Sequence, residues 1–253
     1  MSGPAGQQKE MTFWDHLEEL RGTLFRSIAA VLLLSVLGFI FKKPLFDFVL
    51  GPSKPDFFVY ELLGWDITMT LINVDVSAQF FAHLRAAAAA GLVIAVPYIL
   101  WEIWRFIAPA LYSNERKAVN GSFLLASLLF YVGVAVGYLL VLPVCIQFFM
   151  NYTVSPEVAN NITLNSYMSL FMSTVVLMGV VFEFPVLIII LSSIGVVSRG
   201  TLRKGRRYAI VAVLIVSAII TPADPLSMIV VAIPLYLLYE ASILCCREGS
   251  AQA

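Results

Sequence analysis

The chain has 253 residues, of which 60% are hydrophobic and only 13% charged, with a mean hydropathy of +0.90 and a formal net charge of zero. So little polar surface cannot cover a soluble globule, and the chain reads as an integral membrane protein. The zero total says nothing about nucleic-acid or acidic partners, so the informative feature is how the charges are distributed along the chain.

Residues 1–11 are small and polar, and structure is expected to begin at Thr12. Thr12 and Asp15 fit a helix-capping spacing, and Phe13, Leu17, Leu20 and Leu24 fall on one helical stripe. Residues 1–23 then lead into a first span at 24–41. No basic region followed by a short apolar core and a cleavage site precedes it, so this span is expected to be retained. Lys42 and Lys43 open a stretch, 42–77, that contains Pro44, Pro52, Pro55 and five acidic residues. It is expected to fold as a cap outside the bilayer, with one amphipathic piece at 45–50. A second span, 78–104, has His83 and Arg85 near its outer end and Pro97 in its inner half. After a polar loop at 105–118, a third span at 119–142 is expected to stop at Pro143.

The fourth span, 166–195, holds Glu183 just before Pro185, and a basic loop at 196–207 follows with Arg199, Arg203, Lys204, Arg206 and Arg207. Two last spans, 208–221 and 226–246, are joined by Pro222, Ala223, Asp224 and Pro225. At about 1.5 Å per residue the fifth would reach only about 21 Å, against a hydrocarbon core of roughly 30 Å. Either the bilayer thins there or the helix begins and ends beyond these bounds.

Six spans sort the basic residues unequally. Lys9, Arg21, Arg26, Arg105, Arg116, Lys117, the five residues of the basic loop and Arg247 fall on one side, twelve in all. Lys42, Lys43 and Lys54 fall on the other, and Arg85 lies within a span. Both termini and the central loop are therefore expected in the cytoplasm. The three cysteines, Cys145, Cys245 and Cys246, form no CxxC pair and read as packing residues at span ends.

The central loop, WRFIAPALYSNERK at 104–117, is the most distinctive stretch. Pro109 removes a backbone donor and biases Ala108 away from helix, so the span must end there. Leu111 and Tyr112 offer an amphipathic patch. Glu115, beside Arg116 and Lys117, is either an ordinary solvated carboxylate or a receptor for a cationic ligand. Signatures of metal-assisted, serine or phosphate chemistry (HExxH, GxSxG, GxxxxGK[ST]) are missing, and His16 and His83 lie on opposite membrane faces. Glu183 and Asp224 sit at different depths and cannot share a proton as a protease pair. The chain reads as a non-enzyme without a cofactor.

Glu183 and Glu240 lie in apolar runs, where a carboxylate costs several kcal/mol unless it finds a partner or a wet cavity. Glu240 reads as an interhelical hydrogen bond or a protonated carboxyl, whereas Glu183 admits both a functional and a structural reading. Pro97, Pro185 and Pro234 each free a carbonyl inside a span and bend it. The expected architecture is an all-α bundle of six membrane helices, several of them kinked.

With HLEELR at 16–21, RFIAPALYSNERK at 105–117, FEFP at 182–185, TPAD at 221–224 and AIPLYLLYE at 232–240, the chain resembles the TatC family, the multispanning receptor subunit of the twin-arginine protein translocase. The resemblance implies a concave wall of six helices in the bacterial cytoplasmic membrane that recognises the paired arginines of a signal peptide on folded cargo. It implies that Glu19 and Glu115 are the recognising carboxylates, with Arg21, Phe106, Pro109, Leu111 and Tyr112 shaping the patch. A planar guanidinium pairs with a carboxylate through two parallel hydrogen bonds, which an ammonium cannot do.

The same resemblance assigns transport roles to Pro52, Glu183 and Asp224. It makes the last two spans, at Thr221 and Met228, the docking face for single-span partners of the TatA/TatB type. Self-association within a hetero-oligomer and drive from the proton gradient are implied as well. Thr23, Met228 and Ala78 depart from residues common in the family, where a basic residue, a glutamine and an acidic residue respectively are usual. The rival reading is a proton-coupled secondary transporter, which usually shows internal repeats; none is present here.

Overall fold

The computed structural model describes residues 13–107, 122–155, 157, 160–221 and 224–246. These residues are almost entirely helical. Helix α1 (Phe13–Ile40) is followed by the cap, which consists of α2 (Lys42–Val49), a 3₁₀ turn at Gly51–Ser53, α3 (Phe58–Leu63) and a two-residue strand β1 (Leu71–Ile72). Helix α4 (Ala78–Ile107) returns through the molecule, and α5 (Ser122–Val136) runs through a wide turn at Gly137–Val141 into α6 (Leu142–Asn151). Strand β2 (Ile162–Thr163) pairs in parallel with β1 and leads into α7 (Leu164–Phe171), a second wide turn at Met172–Val176, α8 (Leu177–Val181) and α9 (Phe184–Ser193). Last come α10 (Arg199–Ile220) and α11 (Pro225–Cys245).

Five stretches, His16–Ile40, Ala78–Ile107, Phe123–Asn151, Leu164–Ser193 and Pro225–Cys245, are long and apolar enough to cross a membrane. The principal packing partners run in a row: α1 on α4, α4 on α5, α5 on α8, α9 on α11, and α11 on α10.

Close approach is built from small residues, as expected where lipid removes the hydrophobic drive for helices to meet. A Cβ on Gly91 of α4 would lie 2.3 Å from Ser35 Oγ and 2.5 Å from Ser35 N of α1. A Cβ on Gly133 of α5 would lie 2.6 Å from the Met178 carbonyl. Pro97 denies its bond to the Val93 carbonyl inside α4, and the Tyr131 hydroxyl of α5 donates to that oxygen at 3.2 Å instead.

Three expectations from the sequence need correction. The third span does not stop at Pro143. In the wide turn before it, the Leu142 amide bonds five residues back to the Gly137 carbonyl, which moves the chain out of the proline ring's way. The helix then continues to Asn151. Nor is the basic stretch a loop. Ser198 caps a helix by accepting from the Thr201 amide at 3.2 Å, and all five basic residues lie in its first turns, since Arg and Lys are good helix formers. That makes α10 22 residues long, about 33 Å at the standard rise, but its first nine residues carry all five charges, so the apolar part, 208–220, stays as short as expected. The central helix likewise runs to Ile107, three residues past the expected end.

In the cap, three tyrosines from three elements converge on one backbone turn. Tyr60 donates to the Pro52 carbonyl at 2.6 Å, Tyr167 to the Val49 carbonyl at 2.6 Å and Tyr138 to the Phe48 carbonyl at 2.8 Å. Val49, Tyr60, Ile67, Ala82, Ala86, Ile146 and Tyr167 form the buried core beneath.

Candidate functional site

The N-terminal half of α1 and the C-terminal half of α4 form a seam of polar and aromatic contacts. At its mouth the His16 ring stacks on Phe106, with centroids 4.3 Å apart. One turn further along α1 stands Glu19, half-buried, with Oε2 shielded from solvent and without a hydrogen-bond partner. Next come Thr23, buried, and Arg26, whose Nη2 donates to Thr23 Oγ1 at 3.3 Å. The Arg26 Nε and Nη2 both donate to Oε2 of Glu102, at 2.9 and 2.7 Å, and the Tyr98 hydroxyl donates to Oε1 at 3.0 Å. The side chain of Glu102 is 1% exposed and that of Arg26 43%. Arg21 points away from the seam, its guanidinium 5.6 Å over the Phe25 ring, and is exposed.

The expected site residues fall in three places. Glu19, Arg21 and Phe106 are brought to this end of the α1 and α4 pair, whereas Pro109, Leu111, Tyr112 and Glu115 lie outside the described residues, as does the proposed cap Thr12. Pro52 is buried in the cap under Tyr60. Glu183 stands at the break between α8 and α9, half-buried, and its Oε1 has no hydrogen-bond partner and is shut off from solvent.

Asp224 caps α11, with Oδ1 accepting from the Ser227 amide at 2.7 Å while Oδ2 is buried without a partner. Thr221 is buried, its hydroxyl bonded back to the Ser217 carbonyl at 2.9 Å, and it lines a cavity of about 630 Å³ with Asn161, Ser166 and Ser173. Met228 is half-buried. Glu240, read from sequence as a hydrogen-bonded or protonated group, makes an ion pair with Arg206 at 2.7 Å and accepts from Tyr236 at 2.9 Å.

Residues 15–234 match the family model for the Sec-independent protein translocase protein TatC. The chain belongs to the TatC family. The TatC protein of Blattabacterium sp. subsp. Periplaneta americana is 35% identical over 94% of this chain and 95% of that one. The TatC protein of Escherichia coli K12 is 35% identical over 90% and 85% respectively. A crystal structure of a twin-arginine translocase receptor TatC superposes with a TM-score of 0.76 at 34% identity, covering 91% of this chain and 97% of that chain. A second, in DDM, reaches 0.79 at 33% identity, with 92% and 99% covered. This TatC chain is thus a multispanning inner-membrane component of a protein translocase, a transport protein.

Sequence reasoning passed over the most buried charged side chain among the described residues, Glu102. Glu102 lies in an apolar run, as Glu183 and Glu240 do, and the same cost argument singles it out. Arg26 was counted only as a cytoplasmic charge. Its position seven residues after Glu19, on the same face of α1, was the available signal for the pair.

Proposed function

We propose that this chain is the receptor subunit of the translocase, binding the Arg-Arg signal peptide of folded precursors at its cytoplasmic face. The observation that carries the reading is Glu19. Its carboxylate is held in the α1–α4 seam with one oxygen desolvated and unpartnered, a costly state that a guanidinium would relieve. Phe106, in the same seam, leads directly into the chain segment that holds Pro109, Leu111, Tyr112 and Glu115. Glu115 supplies the second carboxylate of the patch, and Arg21, exposed over the Phe25 ring, shapes its surroundings.

In this reading α10 is a sixth membrane helix. Its basic first turns favour the cytoplasmic side and place both termini there, with the cap outside. The row of packed helices forms one wall, with α10 and α11, through Thr221 and Met228, as the docking face for single-span TatA/TatB-type subunits. Pro52, Glu183 and Asp224 serve later steps of transport, which the proton gradient drives.

The test is binding of Arg-Arg and Lys-Lys signal peptides to the protein in nanodiscs, wild type against Glu19→Ala and Glu115→Ala. A tenfold preference for Arg-Arg, about 1.4 kcal/mol, that each variant loses is the expected result. Equal affinities and unaffected variants would overturn the receptor reading.

A further inference from the structure

Glu102 is held by Arg26 in a way that differs from a simple structural tie. Both Arg26 donors converge on a single oxygen, Oε2, at 2.9 and 2.7 Å, while Oε1 receives only the Tyr98 hydroxyl. This is not the parallel two-oxygen fork that makes guanidinium–carboxylate pairs strong and specific. Exposure is also lopsided. The carboxylate lies at the bottom of the seam, 1% exposed, and the cation lies at its mouth, 43% exposed, with Thr23 Oγ1 as a second acceptor within reach.

Glu19, Thr23 and Arg26 follow one another on a single face of α1. On α4, Arg105 is exposed, three residues after Glu102. The seam therefore holds two carboxylates, Glu102 seated against the Arg26 guanidinium and Glu19 with an unpartnered oxygen.

We propose that Glu102 is a third carboxylate of the Arg-Arg recognition patch, occupied at rest by Arg26 as a built-in competitor that a signal-peptide guanidinium displaces. The inference rests on the receptor reading above. Its physical consequence is selectivity. Exchanging one guanidinium for another leaves the desolvation of the carboxylate unchanged, and a peptide arginine that reaches both oxygens binds better than the end-on Arg26. An ammonium is a strongly hydrated point charge and must evict a guanidinium without matching its planar donors. Arg26 thereby turns a site for cations into a site for arginine, and Glu102 is a specificity-determining residue.

Peptides bearing Arg-Arg, Arg-Lys, Lys-Arg and Lys-Lys would be titrated against the full chain in nanodiscs, as wild type, R26Q, R26K, E102Q and the reversal R26E/E102R. Glu115→Ala is run in parallel, and folding of each variant is checked by its melting temperature. If Arg26 occupies Glu102 nine-tenths of the time, its removal raises apparent affinity about tenfold. R26Q is expected to bind all four peptides more tightly, Lys-Lys most, so that the Arg-Arg preference shrinks. R26K, a weaker competitor, should fall between R26Q and wild type. E102Q should lose Arg-Arg affinity.

The reversal keeps an ion pair across the seam but takes the carboxylate away from the buried position on α4, and it is expected to bind Arg-Arg as poorly as E102Q. Wild-type binding by the reversal would show that the pair is only a tie and overturn the proposal. So would an R26Q variant that weakens all peptides equally with the preference intact. A wild type without any Arg-Arg preference, unaffected by Glu115→Ala, would instead overturn the receptor reading and this inference with it. The Arg26 side-chain NH signal gives a readout independent of affinity: it should shift on Arg-Arg binding in the wild type, and an unchanged signal at saturation would refute displacement.

Discussion

Replacing Tyr60 with Phe removes one oxygen from a side chain that is 0% exposed and leaves the Pro52 carbonyl without its 2.6 Å donor. The carbonyl is buried with the rest of Pro52, so the cost is that of an unsatisfied buried acceptor, about 1–3 kcal/mol. The loss should be local. The amides of Ser53 and Lys54 bond to the Leu50 and Gly51 carbonyls at 3.1 and 3.0 Å, and hydrogen exchange at these positions reads the opening of this one turn. Tyr167→Phe, which strips the Val49 carbonyl, should open the same turn from the other side. Because both tyrosines hold one short backbone segment, the double variant should deviate from additivity by more than about 0.5 kcal/mol.

Burial also pushes the Tyr60 hydroxyl above the usual tyrosine range. A raised folded-state value means that its contribution is complete below the unfolded value of about 10 and is lost as pH rises above it. Tyr60→Phe should therefore flatten the alkaline slope of cap stability. An exchange rate changed by less than about 0.5 kcal/mol, with the slope intact, would refute the clamp.

Gly91→Ala places a methyl carbon 2.3–2.8 Å from Ser35 atoms that include backbone, so α1 must move off α4. Thermal melting should fall by the equivalent of about 1–3 kcal/mol, and protease sensitivity of α1 should rise. Asp224→Ala removes the cap on α11 at about 1 kcal/mol, whereas Asp224→Ser keeps a capping oxygen. Export rescued by Ser would assign Asp224 to capping, and export lost in both would assign it to the second, unpartnered oxygen. Glu183→Gln removes no ion pair among the described residues, so melting should stay unchanged. A clear drop in detergent melts would contradict the isolation of that carboxylate.

The membrane spans were legible because twenty or so consecutive apolar residues have few other uses, and five of them stand where hydropathy places them. Their ends were not. Pro143 reads as a stop to any local rule, because the wide turn at Gly137–Val141 that accommodates it leaves no periodic trace. It depends on a second wide turn packed against it from the Met172–Val176 segment. The start of α10 was hidden for the opposite reason, since its basic residues favour helix and solvent equally. The convergence of Tyr60, Tyr138 and Tyr167 on one turn joins residues more than a hundred positions apart, as at Tyr167 and Val49, and no sequence motif encodes it. Of the proposed site, Glu19 was named from its motif, whereas the Glu102–Arg26 pair depends on the packing of α1 against α4, which no local motif encodes.

On the proposed reading, the same pairing lets charges move at one end of the seam without loosening the fold. Helix α1 has α4 as its principal neighbour, and the two halves of their contact are built differently. The outer half is steric. Ala87 lies under Gly38 and Gly91 under Ser35, at distances that admit no added carbon at Gly91. The inner half is polar and aromatic, made of side chains long enough to rearrange, namely His16 on Phe106 and Arg26 on Glu102. An arginine can leave Glu102 there while the backbone seam further out stays closed. The charged half of the seam is free to answer a ligand because the glycine and alanine half already holds the helix.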